Sequence, residues 1–78
     1  MNPRVVQVYP LAHFQLKLEF QNGEIRRFDL TPYLSIGVFR ELADPVLFET
    51  VKANLGSISW QNGQDLCLDT LYIDSLKM

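Results

Sequence analysis

Residues 13–30 read HFQLKLEFQNGEIRRFDL, and the way this stretch reverses on itself decides the architecture of the chain. Its first half alternates, with Phe14, Leu16, Leu18 and Phe20 on one parity and His13, Gln15, Lys17 and Glu19 on the other. A period of two marks a strand with one buried and one wet face. Beyond Gln21-Asn22-Gly23, Phe28 and Leu30 again share a parity. A two-residue Asn-Gly turn would set Phe28 against Lys17 and mix the faces. A three-residue Gln-Asn-Gly loop, with glycine in the left-handed position, sets Leu16 against Phe28 and Phe14 against Leu30. The longer loop is therefore predicted. It also places Lys17 opposite Arg27 on the wet face, where Glu19, diagonal to Arg27, is the simplest neutraliser.

The same tripeptide returns in WQNGQDLCLD after Trp60. Parity again selects the longer loop, because three residues pair Ile58 with Leu66 while two would oppose Trp60 and Asp65. Both turns are predicted to be type I with a glycine bulge, at Gly23 and Gly63. Upstream, the β-branched run Val5–Tyr9 reads as a first strand ending at Pro10, and as an open sheet edge. Between the hairpins the pattern becomes helical. Thr31-Pro32 and Asp44-Pro45 each offer a cap followed by proline at the first helical position. Phe39 and Leu42, then Leu47, Phe48 and Val51, recur at helical spacing. Alternation resumes around a Leu55-Gly56 turn, with Trp60 closing the core. Asp69 is predicted to cap a last short helix, with Leu71, Leu76 and one of Tyr72 or Ile73 inward. The sum is an α+β fold. Antiparallel hairpins form a meander with two Gln-Asn-Gly turns, packed against short helices in the middle and at the C-terminus, as one domain over residues 1–78.

A formal net charge of −2 argues against a broad nucleic-acid footprint, which needs a basic excess. No apolar run reaches the ~18 residues that span a bilayer. The N-terminal MNPRVVQVYPLAH lacks the layout of a signal peptide, and Cys67 is the sole cysteine, so a cytoplasmic protein is expected. No metal and no cofactor are expected. His13 and Cys67 are the only good soft or imidazole ligands, and there is no glycine-rich phosphate loop and no CxxC.

The residues that could carry chemistry each have a plainer reading. His13, the only histidine, lies on the polar face of the clearest strand and reads as solvated. Cys67 has no partner base in the sequence, although a helix is predicted to begin just after it. Asp65, Asp69 and Asp74 do not have the spacing of a calcium loop. No catalytic residue is therefore assigned. The positions with most to offer a partner are Lys17, Arg26 and Arg27, with Arg4 and the amphipathic ring of Tyr9 beside them. These cations suit an acidic protein surface or a phosphate.

Gly37-Val38-Phe39, Leu42, Asp44, Phe48, Val51, Ile58-x-Trp60, Asn62-Gly63, Asp65-Leu66 and Asp69-x-Leu71-Tyr72 together resemble a bacterial domain-of-unknown-function family, number 2442. The chain departs from it at Leu68, where such proteins often carry proline. The resemblance implies a small α+β domain that stands alone in bacteria or precedes a helix-turn-helix domain. Stand-alone members sit beside another small gene, an arrangement like that of toxin–antitoxin pairs. No catalytic residues carry over. The expectation is a non-enzymatic protein-interaction module that binds a protein partner or forms a homodimer, touching nucleic acid only indirectly and no membrane. The rival readings are an antitoxin-like regulatory component and a minor enzyme using His13 or Cys67.

Overall fold

A computed structural model describes residues 2–78. Seven strands run as β1 Val5–Leu11, β2 Gln15–Phe20, β3 Ile25–Asp29, β4 Lys52–Asn54, β5 Ser57–Ser59, β6 Asp65–Leu66 and β7 Leu76–Lys77. Two short α-helices, α1 Pro45–Phe48 and α2 Leu68–Ile73, join 3-10 turns at Ala12–Phe14, Thr31–Tyr33 and Gly37–Ala43. The strands form two antiparallel sheets, one ordered β1-β2-β3-β7 and the other β4-β5-β6. This is the predicted α+β class. Among the described residues, no helix is long and apolar enough to cross a membrane.

The alternation in β2 does what it predicts. Leu16, Leu18, Phe20 and, from β3, Phe28 are buried, and they meet Ile58, Trp60, Leu42, Phe48 and Leu71 in one core. Leu16 pairs with Phe28 and Ile58 with Leu66. The two Gln-Asn-Gly turns share one geometry. Gly23 N–H donates to the Phe20 carbonyl at 2.9 Å, and Gly63 N–H to the Trp60 carbonyl at 2.9 Å. Both glycines have φ near +90°, at +91° and +90°, the left-handed region that side chains resist. The asparagine completes each turn, since Asn22 Oδ1 accepts from Glu24 N–H and Asn62 Oδ1 from Gln64 N–H, both at 3.0 Å.

Four details differ from expectation. The strand predicted from His13 begins at Gln15, because β1 runs through Pro10 to Leu11 and must reverse at once to pair with β2. His13 and Phe14 make that reversal in left-handed conformations, with φ of 60° and 58°. Pro10 is tolerated because β1 has no second strand on its outer side. Thr31 does not cap a helix. It opens a 3-10 turn, and its N–H donates instead to Asp29 Oδ1 at 2.9 Å. Asp69 is no cap either, because α2 starts at Leu68 with Cys67 at its N-cap. Asp69 sits in the first turn, where a carboxylate suits the helix dipole, and accepts a 2.8 Å bond from Asn2 Nδ2. Leu76, expected on the inner face of that helix, is 65% exposed, because the chain turns out of α2 into β7 along β3. Asp44 does cap α1, its Oδ1 accepting from Val46 N–H at 3.0 Å.

Candidate functional site

Among the described residues, all the buried side chains of the β1-β2-β3-β7 sheet lie on one face, and no element packs over the other. Register builds a row straight across that outer face. Tyr9 pairs with Lys17, Lys17 with Arg27 and Arg27 with Leu76. The next row holds Gln7, Glu19 and Ile25, and the row on the other side Leu11, Gln15 and Asp29. Apolar groups are open to solvent here, with Tyr9 42%, Ile25 40% and Leu76 65% exposed.

The charges within the face are arranged locally. The Lys17 ammonium lies 5.2 Å from the centre of the Tyr9 ring and 4.0 Å from Glu19 Oε2. Glu19 thus neutralises Lys17, its neighbour along β2, and not Arg27 as expected. The ion pairs among the described residues are Lys17–Glu19, Arg26–Glu24 and Lys77–Glu24, which leaves the exposed Arg27 guanidinium free. Two cations side by side across a strand pair repel mildly, and a partner anion or ring over Arg27 would relieve this.

Arg26 leaves the patch. It pairs with Leu18, so its side chain starts on the buried parity. Its guanidinium stacks 4.1 Å from the Tyr72 ring centre, holds Glu24 Oε1 at 2.8 Å, and donates to the carbonyls of Tyr72 and Ser75 at 3.4 and 3.3 Å. A cation among carbonyls at a helix C-terminus is a structural tie. Glu24 completes it by accepting from the Tyr72 hydroxyl and from Asn22 Nδ2, at 2.5 and 2.6 Å. Those two bonds, ahead of Arg26, hold its carboxyl down at about 2. Arg4 lies elsewhere too, its guanidinium against Gly56 in the β4–β5 turn.

The remaining candidates do not converge. His13 is exposed in the β1–β2 turn, and Cys67 is exposed ahead of α2. Asp69 is bonded to Asn2, and Asp74 accepts from the Tyr33 hydroxyl at 3.2 Å. Burial first, and then Asp74, pushes the Tyr33 hydroxyl up from its ordinary value. Among the described residues no three His, Cys, Asp or Glu side chains cluster as metal ligands do. Gly23 and Gly63 shape the turns, while Trp60 is buried with its Nε1–H on the Phe48 carbonyl at 3.0 Å. Sequence reading missed Ile25 and Leu76. The parity of Ile25 with Arg27 was a usable signal, but nothing local announced β7.

A family model described as "Protein of unknown function (DUF2442)" matches residues 5–75, from the first residue of β1 to just before β7. The chain belongs to the DUF2442 family. No curated protein and no solved structure matches it. The DUF2442 match takes in both Gln-Asn-Gly hairpins, the Asp44 cap and α2. It also contains three of the four residues of the exposed row, Tyr9, Lys17 and Arg27.

Proposed function

We propose that this DUF2442 chain is a non-catalytic protein-interaction module of the bacterial cytoplasm, docking a protein on the open face of its four-stranded sheet. One observation carries the reading. Tyr9, Lys17, Arg27 and Leu76 stand in register across all four strands on a face that no element among the described residues covers. The exposed Tyr9 and the free Arg27, on either side of Lys17 in that row, are of the residue types enriched where protein interfaces form. The edge of β1 is a weaker candidate than its face. Val5 N–H is already bonded to the Gly56 carbonyl at 2.9 Å, Pro10 offers no donor, and a bulge interrupts the register between Val5 and Gln7.

Photo-crosslinking in the source cells tests the reading, with p-benzoylphenylalanine placed at Tyr9 on the face or at Leu55 in the β4–β5 turn. Leu55 is 88% exposed and serves as the control. The expected result is a discrete crosslinked protein from position 9 and none from position 55. Equal crosslinking from both, or none from position 9, would overturn it.

A further inference from the structure

We infer that the occupant of the open sheet face is a second copy of this chain, stacked face to face about a two-fold axis. The axis runs across the strands, between the Lys17 row and the Glu19 row. The inference rests on the reading of this face as a docking surface and goes further by naming what docks.

Charge complementarity selects the second copy. The outer face carries two cations, Lys17 and Arg27, and two anions, Glu19 and Asp29, so it is neutral within a chain of net charge −2. The whole excess of negative charge lies off the face. A uniformly acidic partner would meet Glu19 and Asp29, and a uniformly basic one Lys17 and Arg27. A surface of both signs in separate rows is complementary to itself, as a closed two-fold interface requires. Lys17 and Glu19 are two residues apart on β2, so they point the same way in neighbouring rows. Rotation about an axis between those rows lays Lys17 of each copy over Glu19 of the other, and does so twice. It also sets the stem of Arg27 over the exposed Ile25 of the other copy, one strand away from that copy's Glu19, an anion that Arg27 lacks among the described residues of its own chain. An axis parallel to the strands, midway between β2 and β3, would instead oppose Lys17 and Arg27. The favoured arrangement keeps the strands of the two sheets aligned, as stacked antiparallel sheets prefer.

The size of the face sets the strength. Three strands of about five residues each, edged by the two-residue β7, give roughly 17 Å along the strands by about 15 Å across them. Two such faces cover on the order of 500 Å² in total, the range of weak, transient contacts. The dimer is therefore an exchanging one, with a dissociation constant in the range of about 10 μM to 1 mM.

Sedimentation equilibrium of the full chain from about 10 μM to 1 mM reads the association directly. Lys17→Glu leaves two acidic residues facing two acidic residues, and Glu19→Lys leaves two basic facing two basic. Each variant alone is expected to bind itself at least about tenfold more weakly than the parent. Mixed one to one, the two variants are expected to recover association, because each row of one then opposes the opposite charge on the other. No pairing within a single chain produces that recovery. Dilution of the unmodified protein supplies a readout that needs no variant. Amide shifts are expected to move at Tyr9, Lys17, Glu19 and Ile25 and to stay still at Val46 and Ile73. A chain that remains monomeric through 1 mM, variants that associate like the parent, a mixture that fails to recover, or shift changes elsewhere would each overturn the inference. Monomeric behaviour combined with a foreign protein crosslinked at position 9 would remove the second copy alone and leave the docking face standing.

Discussion

Glu24 joins parts of the chain that lie 48 positions apart, the first hairpin turn and α2 through the Tyr72 hydroxyl. Its carboxyl is 15% exposed and titrates at about 2 instead of the ordinary 4.5. A folded-state value below the unfolded one means that the unfolded chain binds the proton more tightly. The stabilisation is then complete above about 4.5 and is lost as pH falls from there towards 2. Glu24→Gln is expected to flatten the acid limb of a stability-against-pH curve measured by urea denaturation between pH 2 and 6. Tyr72→Phe, which removes the first of the bonds that lower it, is expected to raise the Glu24 value seen by carboxyl NMR titration. His13 gives an expectation of the opposite sign. It holds φ at 60° in an exposed turn, a conformation that penalises a Cβ by about 1 kcal/mol. His13→Gly should release that strain, offset in part by the greater freedom glycine gives the unfolded chain. The net is an expected gain of up to about 0.5 kcal/mol in chemical denaturation; a loss of stability would show that the histidine side chain contributes contacts of its own.

Among the elements, the two Gln-Asn-Gly turns were the most legible, because a loop length is a parity statement and parity is visible in sequence. A Cβ at Gly23 or Gly63 meets no atom within 4 Å, so only backbone strain opposes substitution. Gly23→Ala and Gly63→Ala should therefore cost nearly the same, about 1 kcal/mol each by thermal or urea unfolding. Unequal costs would mean that the turns differ in a way their shared geometry does not show. The helical elements were less legible. Asp44 was readable because proline follows it and its carboxylate reaches Val46 N–H; Asp44→Ala is expected to cost about 1 kcal/mol. Asp69 had a similar local look but lies two residues past the N-cap, a position held by Cys67. The break at His13 and Phe14 was hidden as well. Alternation continues through both residues on paper, while the backbone reverses there to bring β1 onto β2, and the Phe14 ring is still held edge-on to Phe48, 5.2 Å between centres.

Across the full chain, β2 is paired on both sides throughout and supplies the buried Leu16, Leu18 and Phe20, while β4 and β7 are short. Native-state hydrogen exchange is expected to be slowest at Leu16, Leu18 and Phe28 and much faster at Lys52–Asn54 and Leu76–Lys77. The reverse order would mean that the second sheet is the stable one. The exposed row is also a product of the assembled fold. Three of its members were singled out from sequence, but Arg26, their neighbour, turned out to be tied beneath the sheet to Glu24, Tyr72 and Ser75. Its parity with Leu18 was legible; the helix end awaiting it on that side was not. Period and turn chemistry were enough for the antiparallel α+β class, the register of both hairpins and the solvent side of Lys17 and Arg27. Both act over a few residues, so both are written in short stretches of sequence. The return of Leu76 along β3 to finish the row, and the withdrawal of Arg26 from it, came from the folded chain alone. Each depends on where α2 ends against the sheet, and packing between segments far apart in the chain leaves no local period to read.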